Sequence, residues 1–147
     1  MGSCLGMTST NNERSRKRLE ELCANLTDDQ LGRKTADGWT VAATLAHLAF
    51  WDRVTLERWK LLATKVEPVN LIWDLINDAA APGWQAIPGR EAVRLALEAA
   101  GEVDRHIAGL PTELADAARP VVSERLFERF HHRDEHLDAI VAAIRRG

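Results

Sequence analysis

Apolar positions recur every three or four residues along most of the chain, and alternating β-branched runs are almost absent. That pattern predicts helices and no strands. A first helix starts behind Asn11 or Asn12, either of which can cap it, and buries Leu19, Leu22, Cys23 and Leu26. Residues 1–10 ahead of it are expected to be a disordered arm. In LTDDQLG, Thr27 and Gln30 have capping-box spacing and Gly32 can close a short turn. The loop RKTADGW follows, with Gly38 as breaker and Thr40 as N-cap of a second helix from about Val41 to Val66. Pro68 ends it. Between Val69 and Pro88, LIWDLI predicts a short helix capped by Asn70, while APGW and IPG mark turns. REAVRLALEAAGEVDRHIAGL is the third long helix, closed before Pro111, and the fourth runs from near Pro120 to the C-terminal IRRG. The expectation is one all-α domain over residues 1–147, a four-helix bundle with a long crossover connection between helices two and three.

Composition narrows the class. At 147 residues with 46% hydrophobic and 28% charged side chains, the chain can bury one core, so extensive disorder is excluded. A net charge of −3 without a basic stripe argues against nucleic acid as a partner. The basic cluster ERSRKRLEEL carries its own glutamates at helical spacing and reads as a solvated face. Cys4 and Cys23 supply no disulfide framework, which favours a reducing cytoplasm. No apolar run approaches the ~18–20 residues of a membrane span, and no signal-peptide core follows MGSCLG. The expected setting is a soluble cytoplasmic protein that meets a small molecule, with a homodimer contact as a further option.

Candidate chemistry lies in FHHRDEHLDAI, residues 130–140, which holds three of the five histidines. With Ile140 at the centre of the buried stripe, His136 falls roughly 40° and His132 roughly 80° to one side, at about 100° per residue. His131 falls about 180° away and faces solvent. His132 and His136, four residues apart, can grip one ion. In the second helix His47 shares a stripe with Trp51 and Val54 and can project toward the bundle axis. Three neutral imidazoles from two facing helices would make a tripod with an open position for water or substrate. Zn, Ni, Fe and Mn all accept imidazole, so the ligand type does not select the metal. The plainer reading is a hydrogen-bonded core histidine at 47 and surface decoration at 132 and 136.

Arg129 and Arg133 fall within about 20° of Ile140, where a buried unpaired charge would be costly. They receive a substrate's carboxylate, snorkel over the rim, or pair with an internal acid such as Asp52. His106 has no second ligand at metal spacing and reads as structural or superficial. The tryptophans at 39, 51, 59, 73 and 84 read as core, with an apolar ligand pocket as the alternative.

The segment DGWTVAATLAHLAFWDR followed at a distance by HRDEHL resembles the DinB/YfiT-like superfamily. It is most similar to the branch of the mycothiol-dependent maleylpyruvate isomerase N-terminal domain, and LINDAAAPGWQAIPGREAV fits the same branch. The resemblance covers about residues 13–146. It implies a four-helix bundle holding a divalent metal, usually zinc or nickel, on His47, His132 and His136. It also implies a thiol S-transferase or isomerase using a low-molecular-weight thiol such as mycothiol, bacillithiol or glutathione. A metal-dependent hydrolase and a non-catalytic stress-response or binding bundle are the competing expectations. Ala42, Ala43 and Ala46 stand where the family often carries an acidic residue, and no side chain offers itself as a separate general base.

Overall fold

The computed structural model describes residues 4–146, and all regular structure among them is helical apart from an isolated bridge between Lys34 and Thr40. The helices are α1 (Cys4–Asn25), α2 (Asp28–Leu31), α3 (Val41–Thr64), α4 (Trp73–Ala86), α5 (Gly89–Ala108), α6 (Thr112–Ala118) and α7 (Phe130–Arg145). A 3₁₀ turn at Glu124–Leu126 precedes α7. Both α1 and α3 pack on α5 and on α7, and α4 lies on α3. The contact between α3 and α5 is the most extensive, and both helices bring buried alanines to one core cluster, Ala42, Ala43 and Ala46 from α3 and Ala92, Ala96 and Ala100 from α5. Small side chains let the two backbones come close.

Local signals account for much of this order. The Thr27 hydroxyl accepts from Gln30 N–H at 3.2 Å, and the Gln30 side chain accepts from Thr27 N–H at 3.0 Å, so α2 is a capping box closed at Gly32. Gly38, at φ +92°, takes the left-handed turn that brings the chain back to Thr40. Thr40 Oγ1 then accepts from Ala43 N–H at 3.0 Å and starts α3.

Several expectations fail where distant packing outweighs a local signal, and α4 starts behind Ile72 rather than at an Asn70 cap. Residues 4–10, expected as a disordered arm, are helical; Thr8 is buried and Leu5 packs on a core cluster. Residues 1–3 lie outside the described part. Asn12 does not cap α1. It is 1% exposed and bridges to the far end of the chain, donating to the Phe127 carbonyl at 2.9 Å and accepting from Phe130 N–H at 3.1 Å. It therefore caps α7 from another helix, and α7 begins at Phe130, with α6 and the 3₁₀ turn filling the region where one long fourth helix was expected. The APGW turn is absent as well. Pro82 and Gly83 lie inside α4, which carries the 5%-exposed Trp84 into the core and holds Ala80, Ala81 and Ile87 against it.

The interior has two apolar clusters. One gathers Leu19, Cys23, Leu31, Leu45, Trp84, Ala96, Leu137 and Ile140; the other gathers Leu56, Trp59, Val103, Ile107, Ala115, Leu126 and Phe127. Buried polar residues occupy the stretch between them on all four long helices: Asn12 and Ser15 on α1, Asp52 on α3, Asp104 on α5, and Arg129 and Arg133 at the start of α7. The histidines lie beside that polar layer.

Candidate metal centre

His47 sits two turns into α3 and is 3% exposed; His132 and His136 stand on one flank of α7 facing it. His47 Nε2 lies 3.0 Å from His132 Nε2 and 3.1 Å from His136 Nε2. One sp² nitrogen offers a single proton or a single lone pair, so ordinary hydrogen bonding cannot fully satisfy both contacts. Nitrogens bound to one ion at about 2.0–2.1 Å stand roughly 3.0–3.4 Å apart. The donor set fits a divalent cation, and the three residues are a possible metal-holding group. His131 is exposed and pairs with Glu128 at 2.9 Å, and His106 lies on α5 away from the group.

Burial also sets the protonation state. It lowers the His47 pKa to about 3, with the nearby His136 acting in the same direction. Burial together with the Arg129 charge lowers His132 to about 2, and burial lowers His136 against the pull of Asp37 and Glu135. All three imidazoles are neutral at pH 7 and can offer lone pairs. The His47 ring is held between Trp39 (centroids 4.9 Å) and Trp84 (4.8 Å, edge-on), and its Nδ1 has no hydrogen-bond partner among the described residues.

The depressed values have a consequence for stability. Unfolding restores an ordinary pKa near 6.5, so below that pH the unfolded chain binds protons that the native chain refuses. Stability of the metal-free protein therefore falls as pH drops from 6.5 toward 3, by up to about 1.4 kcal/mol per pH unit for His47 alone. Above pH 6.5 the contribution vanishes. Thermal unfolding of metal-free protein between pH 7.5 and 5 checks this, with a His47→Gln variant expected to show the shallower decline.

The histidines close one side of a cavity of about 440 Å³. Its wall carries Asp37, Trp39, Trp51, Thr55, Arg58, Trp73, Asn77, Ser123, Arg125, Leu126 and Arg129 beside them. Trp51 and Trp73 lie against each other at 4.5 Å, and Trp51 Nε1–H donates to Asn77 Oδ1 at 2.8 Å. Thus three tryptophans belong to the cavity wall, Trp84 to the core behind His47, and Trp59 to the second cluster.

The two arginines part company. Arg133, 1% exposed, is not at the cavity: it donates to Asp104 Oδ1 and Oδ2 at 3.0 and 3.1 Å, to the Asn12 carbonyl at 3.1 Å, and to Asp52 Oδ2 at 3.4 Å. Of the expected alternatives, the internal acidic partner is present at position 133, which lies at the centre of the buried stripe, where such a partner relieves the charge. Arg129 does reach the cavity wall. Its Nε–H donates to Asp52 Oδ1 at 2.9 Å, and its Nη2 stands 3.5 Å from His132 Nδ1, the outer limit of a hydrogen bond.

Sequence reasoning passed over Asp37, Arg58, Arg125 and Asn77. Arg58 was within reach: His47, Trp51, Thr55 and Arg58 follow at intervals of four, four and three, which keeps them on one face of α3. Asp37 is carried in by the Gly38 turn, where its Oδ1 accepts from Trp39 N–H at 3.0 Å and from the Thr35 hydroxyl.

Helices throughout the described residues, with three neutral histidines converging from two of them on a polar-rimmed cavity, define a helical protein with a candidate metal centre. The family model of the DinB superfamily matches residues 11–144, and the chain belongs to that superfamily, whose members are typically metal-binding. No match is found among curated proteins or among solved structures.

Proposed function

We propose that the protein is a metal-dependent enzyme of the thiol S-transferase type, with His47, His132 and His136 holding a divalent ion, zinc or nickel. The convergence of three neutral Nε2 atoms at the edge of a tryptophan-lined cavity carries this reading. When bound, such an ion favours the thiolate of a coordinated thiol, the nucleophilic form. The chain's own residues do the rest. Burial keeps the imidazoles unprotonated, Trp39 and Trp84 hold the His47 ring in place, and Trp51 and the half-exposed Trp73 form an apolar wall of the cavity. The nucleophile is an external low-molecular-weight thiol. Cys23 is unsuited to the role, since burial pushes its pKa up to about 12. In the transfer, the sulfur forms a bond to an electrophilic carbon, the bond to the leaving group breaks, and the thiol proton passes to solvent.

Asp37 favours one alternative, metal-assisted hydrolysis, because its carboxylate lines the same cavity and can take a proton from water. Incubation of zinc- or nickel-loaded protein with a small thiol and monobromobimane separates the readings. Thiol consumption is expected to depend on the metal and to disappear in a His132→Ala variant. A rate equal to that of metal-free protein would sink the transferase reading, and metal-dependent cleavage of an ester in its place would favour hydrolysis.

A further inference from the structure

We infer that Arg58 is the anion receptor of the cavity, so that the ligand of this centre is a thiol bearing a carboxylate at its far end. This deepens the transferase reading and rests on it. Three guanidinium groups, of Arg58, Arg125 and Arg129, face the cavity against one carboxylate, Asp37. Their situations differ. Arg129 is neutralised by Asp52 at 2.9 Å, and Arg125 lies at the exposed rim with Glu135 at 3.4 Å. Arg58 has no carboxylate partner among the described residues. Its one hydrogen bond there runs from Nη2–H to the Val69 carbonyl at 3.3 Å, and its Nε is buried without a partner.

A partly buried guanidinium without a counter-ion is costly, and here burial and the neighbouring Arg129 charge both lower the Arg58 pKa. A carboxylate entering the cavity would relieve both effects and could be gripped by two parallel N–H donors. The position also fixes the shape of the ligand. Eleven residues separate His47 from Arg58, about 16 Å along the helix and within about 20° in azimuth. Arg58 and the three histidines nonetheless line one and the same cavity. Between the two ends lie Trp51, Trp73 and Thr55, and the Thr55 hydroxyl is already engaged by the Trp51 carbonyl at 2.9 Å. That middle wall suits an apolar spacer. The recognised molecule is thus an elongated one, with a soft donor at one end and an anion at the other.

Calorimetric titration of zinc-loaded protein with ω-mercaptohexanoate and with ω-mercaptohexanol tests this. Wild type is expected to bind the carboxylate about tenfold more tightly, the effect of one charge-assisted bidentate pair. In Arg58→Gln that preference should collapse while affinity for the alcohol stays as it was. Equal affinities in wild type, or a preference that survives in Arg58→Gln, would overturn the inference. If Arg58→Gln does not fold, Arg58→Lys takes its place: a severalfold loss of preference supports the receptor and an unchanged one overturns it. Should neither thiol bind, the transferase reading fails on its own, and hexanoate then decides Arg58. Hexanoate binding lost in the variant upholds the receptor; no hexanoate binding by wild type removes it.

Discussion

Purified protein exposed to zinc or nickel is expected to hold about one ion per chain, and a His47→Ala/His136→Ala variant none. The variant removes two of three donors and leaves His132, and a lone imidazole does not hold a divalent ion at micromolar concentration. Because the metal would bind the native chain and not the unfolded one, saturating it also raises the melting temperature. At a thousandfold excess over the dissociation constant the gain is about 4 kcal/mol, which for a domain of this size corresponds to roughly 10 °C. No such shift is expected in the variant, whose helix content in far-ultraviolet circular dichroism should match wild type. Equal and negligible metal in both proteins would remove the tripod and leave His47 a core histidine. Equal and stoichiometric metal in both would place the ion elsewhere.

Much of the site was legible because its residues obey helical geometry. His132 and His136 fall on one flank of α7 and His131 opposite, as the azimuths require, and His47 shares its face with Trp51. What could not be read is where periodicity stops carrying information. The Asn12 signal was real, since asparagine is a good cap, but a cap residue does not name the helix it serves. Likewise Pro82 and Gly83 carry a strong turn signal that the burial of Trp84 outweighs. Asp37 reaches the cavity through a loop whose path depends on the Gly38 turn, and no residue spacing announces that. For Arg133, the sequence offered both a ligand contact and an acidic partner. Its place at the stripe centre decides for the acid, because a side chain that far inside α7 faces Asp104 and Asp52 before it can face the cavity.

That network carries the second large effect. Arg133→Met is expected to cost about 3–5 kcal/mol, the range for breaking a buried ion pair from one side. The methionine fills much of the space, so the loss comes from electrostatics: Asp104 and Asp52, both about 95% buried, are left facing an apolar side chain. Burial already pushes the Asp104 carboxyl above its usual range against the pull of Arg133, and removing the guanidinium pushes it further. Arg16 still reaches Asp104 Oδ2 at 3.0 Å, and Arg129 still holds Asp52, which keeps the loss within that range. Adding Asp104→Asn, which removes one stranded charge, should recover part of the stability, so the two substitutions are non-additive in a double-mutant cycle. Thermal unfolding reads the single variant as a fall of roughly 10 °C. Metal content should survive, because none of the three histidine donors is touched. A variant that keeps its melting temperature but loses affinity for an anionic small molecule would reverse the assignment and make Arg133 a ligand contact after all. The same polar layer sets Arg129 against His132, so a modest loss of metal affinity alongside the fall in stability would show that the ions between the two apolar clusters also help to hold the centre in position.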